Sequence, residues 1–270
     1  MTDKPMIRYG VFLAFVILLY AGTIGPFTAY LQEKPVEEKI GYVPDAAVLK
    51  IVSADQQLFV ADSLVLKVLI YFGGLMNRSA KKLVAPPDYR SMHNALTTAL
   101  KLDPYNIDAY YFSQAVFVWG VGRVREANNI LEYGMRYRTW DWYLPFFAGF
   151  NYAYFLKDYE KAAEYYQQAA KLTGSPLYQK LAGRYLYEAG QTALAIGYLK
   201  TLLRGTVNRA VKRDLLVRLQ AFEGVRRIEI ARDRFRNERG KLPSSLDELL
   251  KGGYLTDIPT DPYGGTFYLE

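Results

Sequence analysis

Hydrophobic and polar positions change register several times along the chain. From Tyr9 to Leu31 there are 23 consecutive residues without a charge. A helix of that length is about 34 Å long, enough to cross a hydrocarbon core of about 30 Å. From Ala46 to Met76 the pattern becomes helical, with Val60, Leu64, Leu66, Val68, Leu69 and Phe72 apolar and Gly73-Gly74 weakening the end. Asn77 to Asp88, containing Pro86-Pro87, reads as a loop. Ser91 to Leu102 is again helical and stops at Asp103-Pro104, where proline cannot continue the hydrogen-bond ladder.

Beyond this point the apolar pattern recurs. Ala127, Ala162 and Ala195 stand at spacings of 35 and 33 residues, and four residues after each comes a large apolar side chain: Leu131, Tyr166 and Leu199. A turn-prone residue precedes each alanine, at Gly122, Asp158 and Gly190. A period near 34 with turns in phase predicts stacked helix pairs, and such stacks generally bind other proteins. An unrelated helical bundle would also place alanines and leucines at helical spacing, but it requires neither the period nor the phased turns.

The segments Ala99-Leu100-Lys101-Leu102-Asp103-Pro104, Lys157-Asp158-Tyr159-Glu160-Lys161-Ala162 and Gly190-Gln191-Thr192-Ala193-Leu194-Ala195 carry the likeness further. Across residues 91–220 the chain resembles a tetratricopeptide repeat protein. The resemblance implies a right-handed helical solenoid, with Ala127, Ala162, Ala195 and Gly183 at close-packing positions and a groove for a peptide or helix of a partner. The chain departs from the family in placing Tyr110, Phe146 and Gln179 where a tryptophan is usual.

After Gln220 the period stops. Gly224 to Asn237 reads as one helix closed by Gly240, Ser245 and Glu248 have capping-box spacing, and Thr266 to Leu269 reads as a short strand. Gly240, Pro243, Leu249, Gly253-Tyr254-Leu255 and Asp261-Pro262-Tyr263-Gly264 are similar to the soluble end of type II secretion major pseudopilins. That resemblance implies a small α+β module over residues 221–270. In some such modules the equivalent loop binds calcium, which makes Asp257 and Asp261 weak metal candidates. Two carboxylates are few for a cation that takes six to eight oxygens, and Asp261 serves equally well as a turn residue capping local amides.

The chain thus divides into a basic tail (1–8), a transmembrane helix (9–31), a linker with leading helices (32–90), the repeats (91–220) and the C-terminal module (221–270). The overall class is all-α with that small α+β addition. A cleavable signal peptide competes with the anchor, since Lys4 and Arg8 form a basic start, although the apolar run is longer than a typical signal core. A pilin-type leader ending at Gly10 is a further alternative, but Phe15 stands where a glutamate is usual. Lys4 and Arg8 before the span are balanced by Lys34 and Lys39 after it. Their greater density on the short N-terminal side favours a cytoplasmic N-terminus, which places the soluble body in the periplasm of a bacterial inner membrane.

Composition adds three points. The chain has no cysteine, which excludes disulfides and thiolate metal sites. Its net charge of +7 is concentrated at residues 201–241, where twelve Lys/Arg face five acids. Arg218, Arg226, Arg227, Arg232 and Arg234 are therefore candidates for a basic patch toward an acidic protein or anionic lipid. Nucleic acid is an unlikely partner, because no sequence-reading motif accompanies the charge; it becomes relevant only to a cytoplasm-facing adaptor, the alternative reading. Aromatics are dense from 140 to 155, and Trp140, Trp142, Phe146 and Phe150 are the candidate groove residues. His93 is the single histidine, without partners for a triad or a histidine metal site, and no glycine-rich phosphate loop is present. The sequence therefore reads as a membrane-anchored scaffold without cofactor or catalytic site, serving envelope assembly, pilus biogenesis or secretion.

Overall fold

The computed structural model describes residues 4–33, 40–77, 82–83 and 86–269. It is built from helices. α1 (Lys4–Glu33) carries the apolar span, and none of the Tyr9–Ala29 segment is buried by the rest of the chain. An N-terminal helix long and apolar enough to cross a membrane is therefore present. The pattern over 46–76 yields two helices, α2 (Ala46–Ser53) and α3 (Gln57–Gly74). They are separated at Ala54, which adopts φ 47°, and by one 3-10 turn. The expected loop after α3 holds a two-residue antiparallel ladder, Met76–Asn77 with Lys82–Leu83.

α4 (Tyr89–Leu102) starts two residues before the expected Ser91, because the Asp88 carboxylate accepts from the Ser91 amide and caps it. Three helix pairs follow. α5 (Ile107–Ala115) continues as a π turn to Gly120 and pairs with α6 (Val124–Met135). α7 (Tyr143–Asn151) continues likewise to Leu156 and pairs with α8 (Tyr159–Thr173). α9 (Pro176–Glu188) pairs with α10 (Thr192–Gly205). Each helix packs on the one before and the one after it, from α5 through α11.

The turns inside the three pairs repeat one geometry. A left-handed residue ends the first helix at Gly122 (φ 71°), Lys157 (φ 55°) and Gly190 (φ 73°). Each lies five positions before Ala127, Ala162 or Ala195, so the backbone carries the same 35- and 33-residue offsets as the side chains. Those alanines are fully buried, and each amide donates to the carbonyl of the residue that follows the left-handed one. Leu131, Tyr166 and Leu199 are buried beside them. Lys157 accepts a conformation that glycine would adopt without cost.

Close approach is enforced by three glycines. A Cβ on Gly149 would lie 3.3 Å from Tyr166, and one on Gly183 3.3 Å from Leu199. Gly134 is tighter still: a Cβ there would lie 2.6 Å from the Tyr110 ring and 2.9 Å from Leu144. Tyr110 stands at a position the resemblance assigns to tryptophan; it is fully buried, with its hydroxyl donating to the Pro104 carbonyl.

The C-terminal region departs from expectation in two ways. α11 runs unbroken from Arg209 to Arg239, so the expected boundary at 220/221 falls inside a helix, and Gly224 is an interior residue and not a helix start. Gly224 is small because the tail crosses it: a Cβ would lie 3.0 Å from Phe267 and 3.2 Å from Pro259. The expected strand at 266–269 is irregular coil, so the α+β module is not formed. The tail instead lays Leu246, Leu249, Leu255 and Phe267 on Ile228, Ala231 and Phe235 of α11. Among the described residues, 266–269 have no strand partner, and Phe267 and Leu269 pack against the α11 cluster. At α12 (Leu246–Lys251) the N-cap half of the expected box forms, the Glu248 amide donating to Ser245 Oγ at 3.2 Å, while Glu248 Oε2 accepts from the amide of Ser244, one residue before the cap, at 2.7 Å.

Candidate binding surface

The first helices of the pairs, α5, α7 and α9, share an aromatic face. Tyr111 meets Tyr143 with ring centroids 4.1 Å apart, and Tyr143 meets Phe147 at 4.2 Å. Trp142 and Phe146 both reach Tyr178 on α9, at 5.6 and 5.5 Å. At the other end of these helices Trp119 packs on Phe150, Tyr154 and Phe155, with Phe150 and Tyr154 stacked at 10°. Much of this face is open: Trp119 is 62% exposed and Tyr154 57%. Phe146 and Phe150 are half-buried, and Trp142 is 39% exposed.

The four aromatic candidates from the sequence are therefore not one cluster. Trp142 and Phe146 belong to the α7–α9 group and Phe150 to the Trp119 group. Trp140 lies apart, in the turn after α6, stacked on Tyr105 at 6.1 Å and 11°, with Arg138 over its ring. Its ring is used to close the turn, because Arg138 also binds Asp141 at 2.9 Å and the Tyr105 carbonyl. Trp119 is the residue the sequence reading passed over. Its signal was the repeat itself: Trp119, Tyr154 and Tyr187 stand at the same 35- and 33-residue offsets as the buried alanines.

Beneath this face the pairs are locked by polar groups. Gln114, Asn128 and Asn151 form a buried amide triad, with Asn151 Nδ2 donating to Gln114 Oε1 at 2.8 Å and to Asn128 Oδ1 at 2.7 Å. Asn128 Nδ2 is the one buried side-chain donor without a partner among the described residues. Glu132 on α6 accepts from the hydroxyls of Tyr152 and Tyr165 at 3.1 and 2.8 Å. Burial raises both phenol pKa values, and the Glu132 charge raises them further.

The basic candidates mostly bind their own chain. Arg218 donates to the Lys180 carbonyl at 3.0 Å, Arg226 pairs with Glu229 at 3.0 Å, and Arg232 with Asp233 at 3.1 Å. Arg227 pairs with Asp257 at 2.6 Å, which ties the tail to α11. Arg234 is exposed. Two of these contacts, from Arg218 and Arg227, hold α11 to α9 and to the tail, while Arg226 and Arg232 pair within α11.

Both metal candidates are occupied by protein donors. Asp257 is held by Arg227 and Thr256, and these hydrogen bonds, Arg227 first, keep its carboxyl below the usual range. Asp261 accepts from the amides of Tyr263 (2.9 Å) and Gly265 (3.2 Å), which is the geometry of a capped turn. Among the described residues no group of three or more His, Asp or Glu side chains could hold a metal ion. His93 packs between Tyr89 and Phe117, and burial lowers its pKa, with Glu126 opposing. No protein-family model matches the chain, and no curated protein matches it, so the tetratricopeptide and pseudopilin likenesses rest on the residues and geometry described above.

Proposed function

We propose that this protein is a membrane-anchored scaffold of the tetratricopeptide type, whose aromatic face on α5, α7 and α9 binds a protein partner. The observation that carries the reading is an open aromatic surface built in register with a repeat. Trp119 and Tyr154 are exposed and equivalent by position, above turns at Gly122 and Lys157 that are equivalent by backbone conformation. Such rings contribute large contact area with few rotatable bonds, which is why aromatic side chains dominate interface hot spots. A right-handed solenoid is the architecture that this succession of helix pairs supports, and α1 is its anchor. The reading of a bacterial inner membrane, a periplasmic body and a role in envelope assembly, pilus biogenesis or secretion rests on the denser basic charge before α1 and on the residues of the tail that resemble pseudopilins, not on the fold of the tail. We assign it no catalytic residue and no cofactor. The alternative, a basic segment used on nucleic acid or lipid, is weakened by the intramolecular partners of Arg218, Arg226, Arg227 and Arg232.

The test is a comparison of variants against one partner identified by photo-crosslinking from position 119 in native membranes. Trp119→Ala and Tyr154→Ala are expected each to weaken binding of that partner by about 2 kcal/mol, roughly thirtyfold, with unchanged helical content. Reversing Arg226 and Arg227 to Glu is expected mainly to slow association at low salt. Normal binding by both aromatic variants, with binding lost on the arginine reversal at every salt concentration, overturns the proposal.

A further inference from the structure

α2 and α3 present an unusual surface for helices at the end of a stack. Their inner faces are ordinary: Ala61, Val65 and Val68 are buried against α4. The opposite faces are largely apolar, interrupted on α3 by exposed Asp62 and Ser63. On α2, Val48, Ile51 and Val52 are 51%, 82% and 76% exposed. On α3, Leu58, Phe59, Leu66 and Ile70 are 62%, 69%, 56% and 67% exposed. Phe59, Leu66 and Ile70 fall at helical spacing on the side directly away from the core. A helix apolar all round belongs to a buried core or to a membrane, and terminal helices of a stack need a polar outer face to stay in water. α11 at the other end meets that requirement, with exposed charges along its length. α2 and α3 do not.

The position of the anchor says what covers them. Ile40 and Val43 are buried in the same core cluster as Ala61, Val65 and Val68, so the chain is already fixed to the α3–α4 body at residue 40. Only six residues, 34–39, separate Ile40 from the end of α1 at Glu33. Seven Cα steps reach at most about 25 Å when fully extended. With α1 across a bilayer, the α2–α3 end of the body is held at the membrane surface whichever side the body occupies. α3 is not itself a second span in this fold, because one face is packed on α4 and Asp62 accepts from Asn106 at 2.7 Å.

We propose that the outward faces of α2 and α3 lie in the interface of the same bilayer that α1 crosses, so that the body is docked on the lipid surface and does not swing on a free tether. The lipid occupies the face formed by Val48, Ile51, Phe59, Leu66 and Ile70, and exposed Lys67 extends from its margin toward headgroups. Docking fixes the direction in which the aromatic face points. The inference rests on α1 spanning the membrane.

The absence of cysteine makes the test direct. Full-length chains carrying Ile51→Cys, Phe59→Cys, Glu164→Cys or Val16→Cys are labelled with an environment-sensitive fluorophore. They are then reconstituted at about one copy per vesicle in phosphatidylcholine–phosphatidylglycerol bilayers. Labels at 51 and 59 are expected to be quenched several-fold more by shallow spin-labelled lipids than the label at 164, and the label at 16 by deep ones. If 16 is quenched and 51 and 59 behave like 164, surface docking is wrong although the anchor stands. If 16 is not quenched, the spanning reading fails and the inference with it. If 51 and 59 are shielded from water but not quenched, and unlabelled Phe59→Cys chains form a 59–59 disulfide under mild oxidant only at many copies per vesicle, a second copy covers the face and the proposal is overturned.

Discussion

Adding one methyl group at three glycines separates helix propensity from packing. Gly134→Ala, Gly183→Ala and Gly197→Ala make the same chemical change, each within a helix. Glycine costs a helix interior about 1 kcal/mol relative to alanine, so propensity alone predicts stabilisation wherever the site is interior. Gly197 has nothing within 4 Å of the new Cβ and should gain most of that amount. At Gly183 the Cβ meets Leu199 at 3.3 Å, a contact that a small shift of one side chain relieves. Gain and loss should nearly cancel, leaving a change within about 0.5 kcal/mol. At Gly134 the Cβ would lie 2.6 and 2.8 Å from two ring atoms of Tyr110, which has no room to move because it is fully buried and its hydroxyl is bonded to Pro104. Gly134 is also next to the end of α6, so the propensity gain is small. The net cost should be about 1–3 kcal/mol. Urea titration followed by tryptophan fluorescence measures all three, since Trp140 and Trp142 lie in the connection between α6 and α7. If Gly134→Ala unfolds at the same urea concentration as Gly197→Ala, the close α5–α6 approach at Tyr110 is not real and the packing scheme of the first pair fails.

Two further outcomes follow from buried polar groups. Asn151→Ala leaves Gln114 and Asn128 unpaired in the core and should cost about 2 kcal/mol or more, whereas replacing all three by Leu or Met should cost less than the single change, as urea midpoints will show. His93 has a folded pKa below the usual 6.5, so between its folded and unfolded pKa values the unfolded chain binds more protons. Stability should therefore fall as pH drops below about 6.5, and His93→Gln should flatten that slope in urea midpoints compared between pH 7.5 and 5.5; an unchanged slope refutes it.

Elements whose cause is local or periodic were legible along the chain. Twenty-three uncharged residues dictate an apolar helix wherever they are placed. The alanines at 127, 162 and 195 mark the helix pairs because a close helix contact admits no larger side chain at each turn of the period. The Ser245–Glu248 cap forms because both partners lie within one turn. Tertiary structure decided the rest. Nothing local shows that Gly224 is interior to a 31-residue helix; it is the Phe267 ring, 43 residues later, that requires the missing side chain. The arginines of 201–241 read as a free patch because their partners Lys180 and Asp257 are distant in sequence. Trp140 and Trp142 are two residues apart yet serve different purposes, since the turn directs one ring to Tyr105 and the other to Tyr178. The terminal strand failed for the same reason: a strand needs a partner edge, and at residues 266–269 the fold supplies the side of α11.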